Sequence, residues 1–160
     1  MTVIIDGTAG ITYPNGSGTQ AAQSKVLQVV NATYSTQTTT GSSTFSDTGL
    51  TASITPLFST SKILVIVDQC GCCKADNQTR LMLQLVRAST VLYKIEDSGG
   101  YTGTTTPNFF GSVSTNYLDS PSTTSSVTYK TQFASYSNVI TAGVQQNGAT
   151  STITLMEIAA

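Results

Sequence analysis

The chain has no histidine and no tryptophan, and only 9% of its 160 residues are charged. Without histidine there is no Ser/His/Asp or Cys/His nucleophile system, and the commonest metal ligand and neutral-pH acid/base is missing. Two arginines and five lysines, scattered along the chain, make no basic stripe able to neutralise phosphates, so nucleic acid is not an expected partner. Ala, Leu, Glu and Lys are scarce, which removes the material of helix bundles and coiled coils. Long apolar runs are absent too. The longest, Ile63 to Val67, is far too short to span a bilayer, and Met1-Thr2-Val3-Ile4-Ile5-Asp6 lacks the basic and apolar regions of a secretion signal. No membrane insertion is expected.

What the chain does have is hydroxyl groups. Ser and Thr make up roughly 30% of it, far above ordinary usage. Val, Ile, Tyr and Phe are plentiful enough to offset the entropy of ordering, so the chain is expected to fold as an all-β domain.

Residues 1–24 differ from the rest. Two short strands, Val3-Ile4-Ile5 and Ile11-Thr12-Tyr13, are separated by Gly-rich turns and cannot bury a core alone. We read them as an attachment segment whose docking side chains are Ile4, Ile5, Ile11 and Tyr13, followed by a head domain over 25–160. In the head, a strand starts near Lys25. Leu50, Ala52 and Ile54 alternate with polar residues up to Pro56. Lys62 to Asp68 is apolar on both faces, the pattern of a central strand covered on two sides. Leu81 to Val86 and Val91 to Ile95 flank Arg87-Ala88-Ser89-Thr90 as a hairpin. Phe109 to Leu118, Val127 to Phe133, Asn138 to Val144 and Ser151 to Ile158 complete about eight strands, with Asn147-Gly148 as a hairpin turn between the last two. No repeat of 20 to 50 residues is visible. The expected architecture is a jelly-roll-like antiparallel β-sandwich. Leu81 to Val86 is apolar on both faces, and its second face is expected to lie either in a subunit interface or under a covering loop.

Candidate chemistry is sparse. Cys70-Gly71-Cys72-Cys73, near Asp68 and Asp76, is the one cluster of potential ligands, but a structural zinc site draws on two separated pairs. We read it as a strand-end loop with free or interchain thiols, without a metal. Gly16-Ser17-Gly18-Thr19-Gln20-Ala21 imitates a dinucleotide fingerprint but lacks the βαβ context and the ribose-binding acid. The Asn-x-Ser/Thr triplets at Asn15, Asn31 and Asn77 are what a Ser/Thr-rich chain gives by chance. Glu96-Asp97 are adjacent carboxylates, unable to face each other across a cleft as glycoside hydrolysis requires. No catalytic residue and no cofactor is expected, although a Ser-Lys dyad stays open. The long polar loop 97–108 holds Asp97, Tyr101 and Asn108. An exposed aromatic beside amides and hydroxyls suits a sugar ring, and a Tyr101 folded back onto the sandwich is the other reading.

The opening Ile5-Asp6-Gly7-Thr8-Ala9-Gly10-Ile11-Thr12-Tyr13-Pro14-Asn15-Gly16 resembles the "DGTxGITFPDGT" connector of tail fibres and related virion proteins of marine tailed bacteriophages. Thr48 to Pro56, Ser61 to Val65, Tyr117 to Pro121 and Ser151 to Ile158 resemble the β-sandwich tip domains that follow such connectors. The resemblance implies a homotrimeric head in the virion, joined to other capsid or tail proteins through its N-terminal segment and exposed to the host surface and its glycans. The chain departs from the pattern in having no long shaft before the connector and in its cysteine cluster. A head fibre, a capsid decoration protein, a tail-tip component and a host-binding fibre tip all fit, and a cellular sugar-binding or adhesion module is the alternative.

Overall fold

The computed structural model describes residues 25–103, 107–138 and 140–160, and the backbone alone of 4–6, 10–12 and 19–20. The described residues form thirteen strands: β1 (Ile4–Asp6), β2 (Gly10–Thr12), β3 (Thr19–Gln20), β4 (Val26–Tyr34), β5 (Thr38–Thr40), β6 (Ser46–Ile54), β7 (Lys62–Lys74), β8 (Leu81–Arg87), β9 (Thr90–Gly99), β10 (Asn108–Asp119), β11 (Val127–Ser135), β12 (Ala142–Val144) and β13 (Ser151–Ile158). The small strands β1, β2 and β3 hydrogen-bond in that order as an antiparallel sheet of their own.

The remaining ten strands form two antiparallel sheets, as expected of an all-β sandwich. One has the order β6-β11-β8-β9. In the other, β7 pairs with β10 along one edge, while β13 and β12 follow each other along its opposite edge. Beyond them, β4 pairs with β13 and β5 with β12. The row of β13 and β12 and the row of β4 and β5 are therefore each one strand interrupted by a short excursion.

That geometry corrects the expected final hairpin. β12 and β13 are both antiparallel to β7, so they run in the same direction, and Asn147-Gly148 belongs to a single 3-10 turn that loops out between them. The strand expected from Asn138 is shorter than its sequence suggests, beginning only at Ala142.

Alternation places the core. Thr48, Leu50, Ala52 and Ile54 on β6, Leu81, Leu83 and Leu85 on β8, Ile63, Val65 and Val67 on β7, and Ile153 and Leu155 on β13 point inward and are buried. Fully burying such a side chain contributes about 1.5–3 kcal/mol. The core falls into two apolar clusters, one around Leu50, Val65, Tyr129 and Leu155, the other around Cys72, Leu81, Phe133 and Val144. Buried polar side chains also cross the interior. The Thr48 and Thr131 hydroxyls meet at 2.6 Å, Thr131 donates to Gln69 Oε1 at 2.8 Å, and Gln69 Nε2 donates to Ser151 Oγ at 3.0 Å. Thr48, Thr131, Gln69 and Ser151 thus satisfy one another, which is what makes their burial tolerable.

Two expectations about apolar faces change. β7 is central in its sheet, but only one of its faces is covered: Leu64 is half-buried and Ile66 is 41% exposed. Conversely, most of the second face of β8 is covered within the chain, with Met82 half-buried. Val86 and Gln84 are buried, Val86 between Lys130 and Val91 of the neighbouring strands, and Gln84 donates to Gln132 Oε1. The open apolar surface lies instead across the outer face of the other sheet, where the register aligns Val29, Met156, Leu64 and Leu118 in one row.

Candidate functional site

At the Lys74 end of β7, residues 75–80 after β7, 100–103 after β9 and 136–138 after β11 come together. The antiparallel pairing of Leu81 with Ser135 sets Arg80 beside Tyr136, and the Tyr136 backbone N–H donates to Arg80 O at 3.0 Å. Thr79 is buried, its hydroxyl 2.5 Å from Ser135 Oγ, and the Ser137 N–H donates to it at 3.2 Å. These bonds fix the floor of a cleft of about 460 Å³ lined by Asn77, Gln78, Thr79, Arg80, Tyr101, Gly103 and Tyr136.

The two tyrosines present broad apolar faces: Tyr101 is 59% exposed and Tyr136 52% exposed. The Tyr101 N–H donates to Ser98 O at 3.1 Å, which closes the turn that carries it. Arg80 lies with its guanidinium carbon 3.5 Å from the centre of the Tyr136 ring, a stacking worth about 0.5–2 kcal/mol. Its Nε is buried and has no hydrogen-bond partner among the described residues. Leaving such a donor unpaired costs about 1–3 kcal/mol.

Of the residues expected to bind a receptor, Tyr101 lies in this cleft and does not fold back onto the sandwich. Asn108 supports it from beneath: its Nδ2 donates to Gly100 O at 3.2 Å, clamping the two ends of the connection. Asp97 does not line the cleft. It belongs to β9, which extends to Gly99, and its carboxylate pairs with Lys94 at 3.1 Å on the exposed surface. Among the expected attachment residues, Ile4, Ile5 and Ile11 lie on β1 and β2, with Ile5 opposite Ile11, and Tyr13 is outside the described residues. Arg80 and Tyr136 escaped sequence reading because each is an isolated residue at a strand end, and only the β8–β11 pairing joins them.

The cysteines are not in a strand-end loop. All three lie within β7, where Gly71 adopts φ +62° and the register with β10 shifts opposite Cys72. A Cβ at Gly71 would come 2.4 Å from the Gln146 backbone nitrogen, so the strand requires glycine there. Cys72 points into the core and donates to Gln69 O at 3.1 Å, and burial pushes its thiol up to about 12, with Cys70 and Cys73 adding to the shift. Cys73 is raised as well, chiefly by burial. Cys70 is half-buried. All three are free thiols, and among the described residues no three of Cys, Asp and Glu are placed to hold a metal ion together. Because the thiolate is the reacting species, iodoacetamide at neutral pH should label Cys70 in the folded protein and Cys72 and Cys73 only after denaturation. Mass spectrometry of the two samples checks this, and equal labelling of all three in the folded protein contradicts it.

No family model matches the chain, and comparison with curated proteins likewise gives no match.

Proposed function

We propose that this chain is a non-enzymatic structural protein of a bacteriophage virion, whose head is a jelly roll that attaches to host-surface glycans through the cleft of Arg80, Tyr101 and Tyr136. The observation that carries the reading is polarity. The chain enters the head at Lys25, whose carbonyl accepts the Ala159 N–H at 2.8 Å beside the Lys62 end of β7. The cleft lies at the Lys74 end, and the thirteen residues of β7 between them extend over about 40 Å. An appendage needs this arrangement, with attachment at one pole and recognition at the other. Ile4, Ile5, Ile11 and Tyr13 would then face other virion proteins.

The jelly-roll reading is supported by strand order. Taking the eight long strands in sequence, the first pairs with the last (β4 with β13), the second with the seventh (β6 with β11), the third with the sixth (β7 with β10) and the fourth with the fifth (β8 with β9). A single antiparallel ribbon paired in this way and rolled up yields the two sheets, the architecture that viral capsid and lectin domains use. Resemblance of the opening segment to phage connectors supports the virion over a cellular origin. Gold-labelled antibody against the head should decorate intact phage particles; bare particles, with the protein on a cell surface instead, would favour the adhesion module.

The head is proposed to be a trimer, closed through the row Val29, Met156, Leu64 and Leu118 with Ile66 beside it. Val29 and Leu118 are 56% and 50% exposed, so changing them does not disturb the folded chain. Light scattering should return a trimer mass, and Val29→Lys with Leu118→Lys should return a folded monomer. A wild-type monomer at micromolar concentration would contradict the assembly.

A further inference from the structure

We infer that the cleft selects a glycan residue that carries a carboxylate, a hexuronic or nonulosonic acid, and that Arg80 is the side chain that reads it. The inference rests on the saccharide reading above and specifies its ligand class. Among the seven lining residues Arg80 is the one that carries charge. The ion pairs of the described residues engage Arg87, Lys94 and Lys130, and no described carboxylate pairs with Arg80.

The guanidinium is held rather than free. One of its faces is stacked on Tyr136, 3.5 Å from the ring centre, and its Nε is buried without a partner among the described residues. Stacking fixes the plane of the fork and leaves its N–H edge as the means of recognition. A planar fork of N–H donors matches the two oxygens of a carboxylate, which accept from it in parallel. One guanidinium balances one negative charge. The neighbouring groups suit the rest of a sugar: Tyr101 offers a face for a pyranose ring, and the amides of Asn77 and Gln78 can donate to and accept from hydroxyls.

Isothermal titration of the full-length protein with three oligosaccharides of the same ring and linkage tests the inference: a neutral hexose, its hexuronate and its sulfate ester. The hexuronate should bind about tenfold more tightly than the neutral sugar, a difference of about 1.4 kcal/mol, and the preference should shrink as salt rises. Arg80→Gln should remove the preference, so that the hexuronate binds no more tightly than the neutral sugar, while Arg80→Lys should restore only part of it because an ammonium has no fork. Equal binding of neutral and acidic sugars, or tighter binding of the sulfate ester, overturns the carboxylate assignment and leaves the saccharide reading standing. Binding of none of the three overturns that reading too. If Arg80→Gln does not fold, the comparison of sugars on the wild-type protein still decides.

Discussion

Replacing Asp119 with alanine should lower the stability of the head by about 3–5 kcal/mol, the range for removing one partner of a buried ionic contact. Asp119 ends β10 in one sheet and is nearly buried, while its two partners come from the other sheet. Arg87 Nη1 on β8 donates to Asp119 Oδ2 at 2.6 Å, and the Tyr129 hydroxyl on β11 donates to the same oxygen at 2.7 Å. Burial raises the Tyr129 phenol above its ordinary range and the Asp119 bond raises it further, so it stays a donor at every physiological pH. In the alanine variant that hydroxyl remains in the core with no acceptor. Arg87 is 27% exposed and regains water, which places the loss nearer the lower end of the range. Asp119→Asn keeps a carbonyl acceptor and should lose about half as much. Urea unfolding at unchanged slope measures both. A loss below about 1 kcal/mol for the alanine variant would mean that the contact does not tie the sheets together.

Glu157→Ala should cost about 3 kcal/mol, because it takes the charged acceptor from three donors at once. Glu157 lies on the inner face of β13 and is fully buried. Its Oε1 accepts the backbone N–H groups of Leu57 at 2.8 Å and Phe58 at 3.3 Å, and its Oε2 accepts Gln28 Nε2 at 2.6 Å. The carboxylate thus ties the connection between β6 and β7 to β4. Burial alone would raise its pKa, but the donors, led by Gln28, outweigh burial and hold it below the ordinary value. The sign of the pH effect follows. A carboxyl whose folded pKa is depressed stabilises fully above its unfolded value, and that contribution is lost as pH falls through the folded one. Wild-type stability should therefore decline below about pH 4 more steeply than that of Glu157→Gln. Parallel acid-unfolding curves would contradict this role.

Periodicity made the strands legible. Leu81, Leu83 and Leu85, or Ile153 and Leu155, alternate so plainly that only a half-buried strand fits, and the turn at Ala88-Ser89 announces its hairpin. Order was not legible. Nothing local in Val26 to Tyr34 says that it pairs with Ser151 to Ile158, and the equal hydrophobicity of both faces of Ile63 to Val67 does not say which face is left open. Asn147-Gly148 misled for the same reason, since a local turn signal cannot distinguish a hairpin from an excursion within one edge row. Tyr101 could be found because its loop is long and glycine-rich. Arg80 and Tyr136 could not, because their partnership exists only through the pairing of β8 with β11. Nothing in the sequence marks Glu157 and Asp119 as buried, because their burial depends on donors brought from distant strands.

The central claim is that the pole opposite the Lys25 entry recognises a glycan. Its most direct test is a glycan array probed with the wild-type protein and with Tyr101→Ala/Tyr136→Ala, two substitutions at exposed residues that leave the core untouched. Removing both ring faces should abolish binding, since each stack contributes on the order of 1 kcal/mol and several copies act together. The account predicts wild-type binding to a set of acidic glycans and loss of that set in a variant that stays folded, its melting temperature lowered by no more than loss of the Arg80–Tyr136 stack accounts for. A wild-type protein that binds no glycan, or a variant that binds the same glycans equally well, would contradict it.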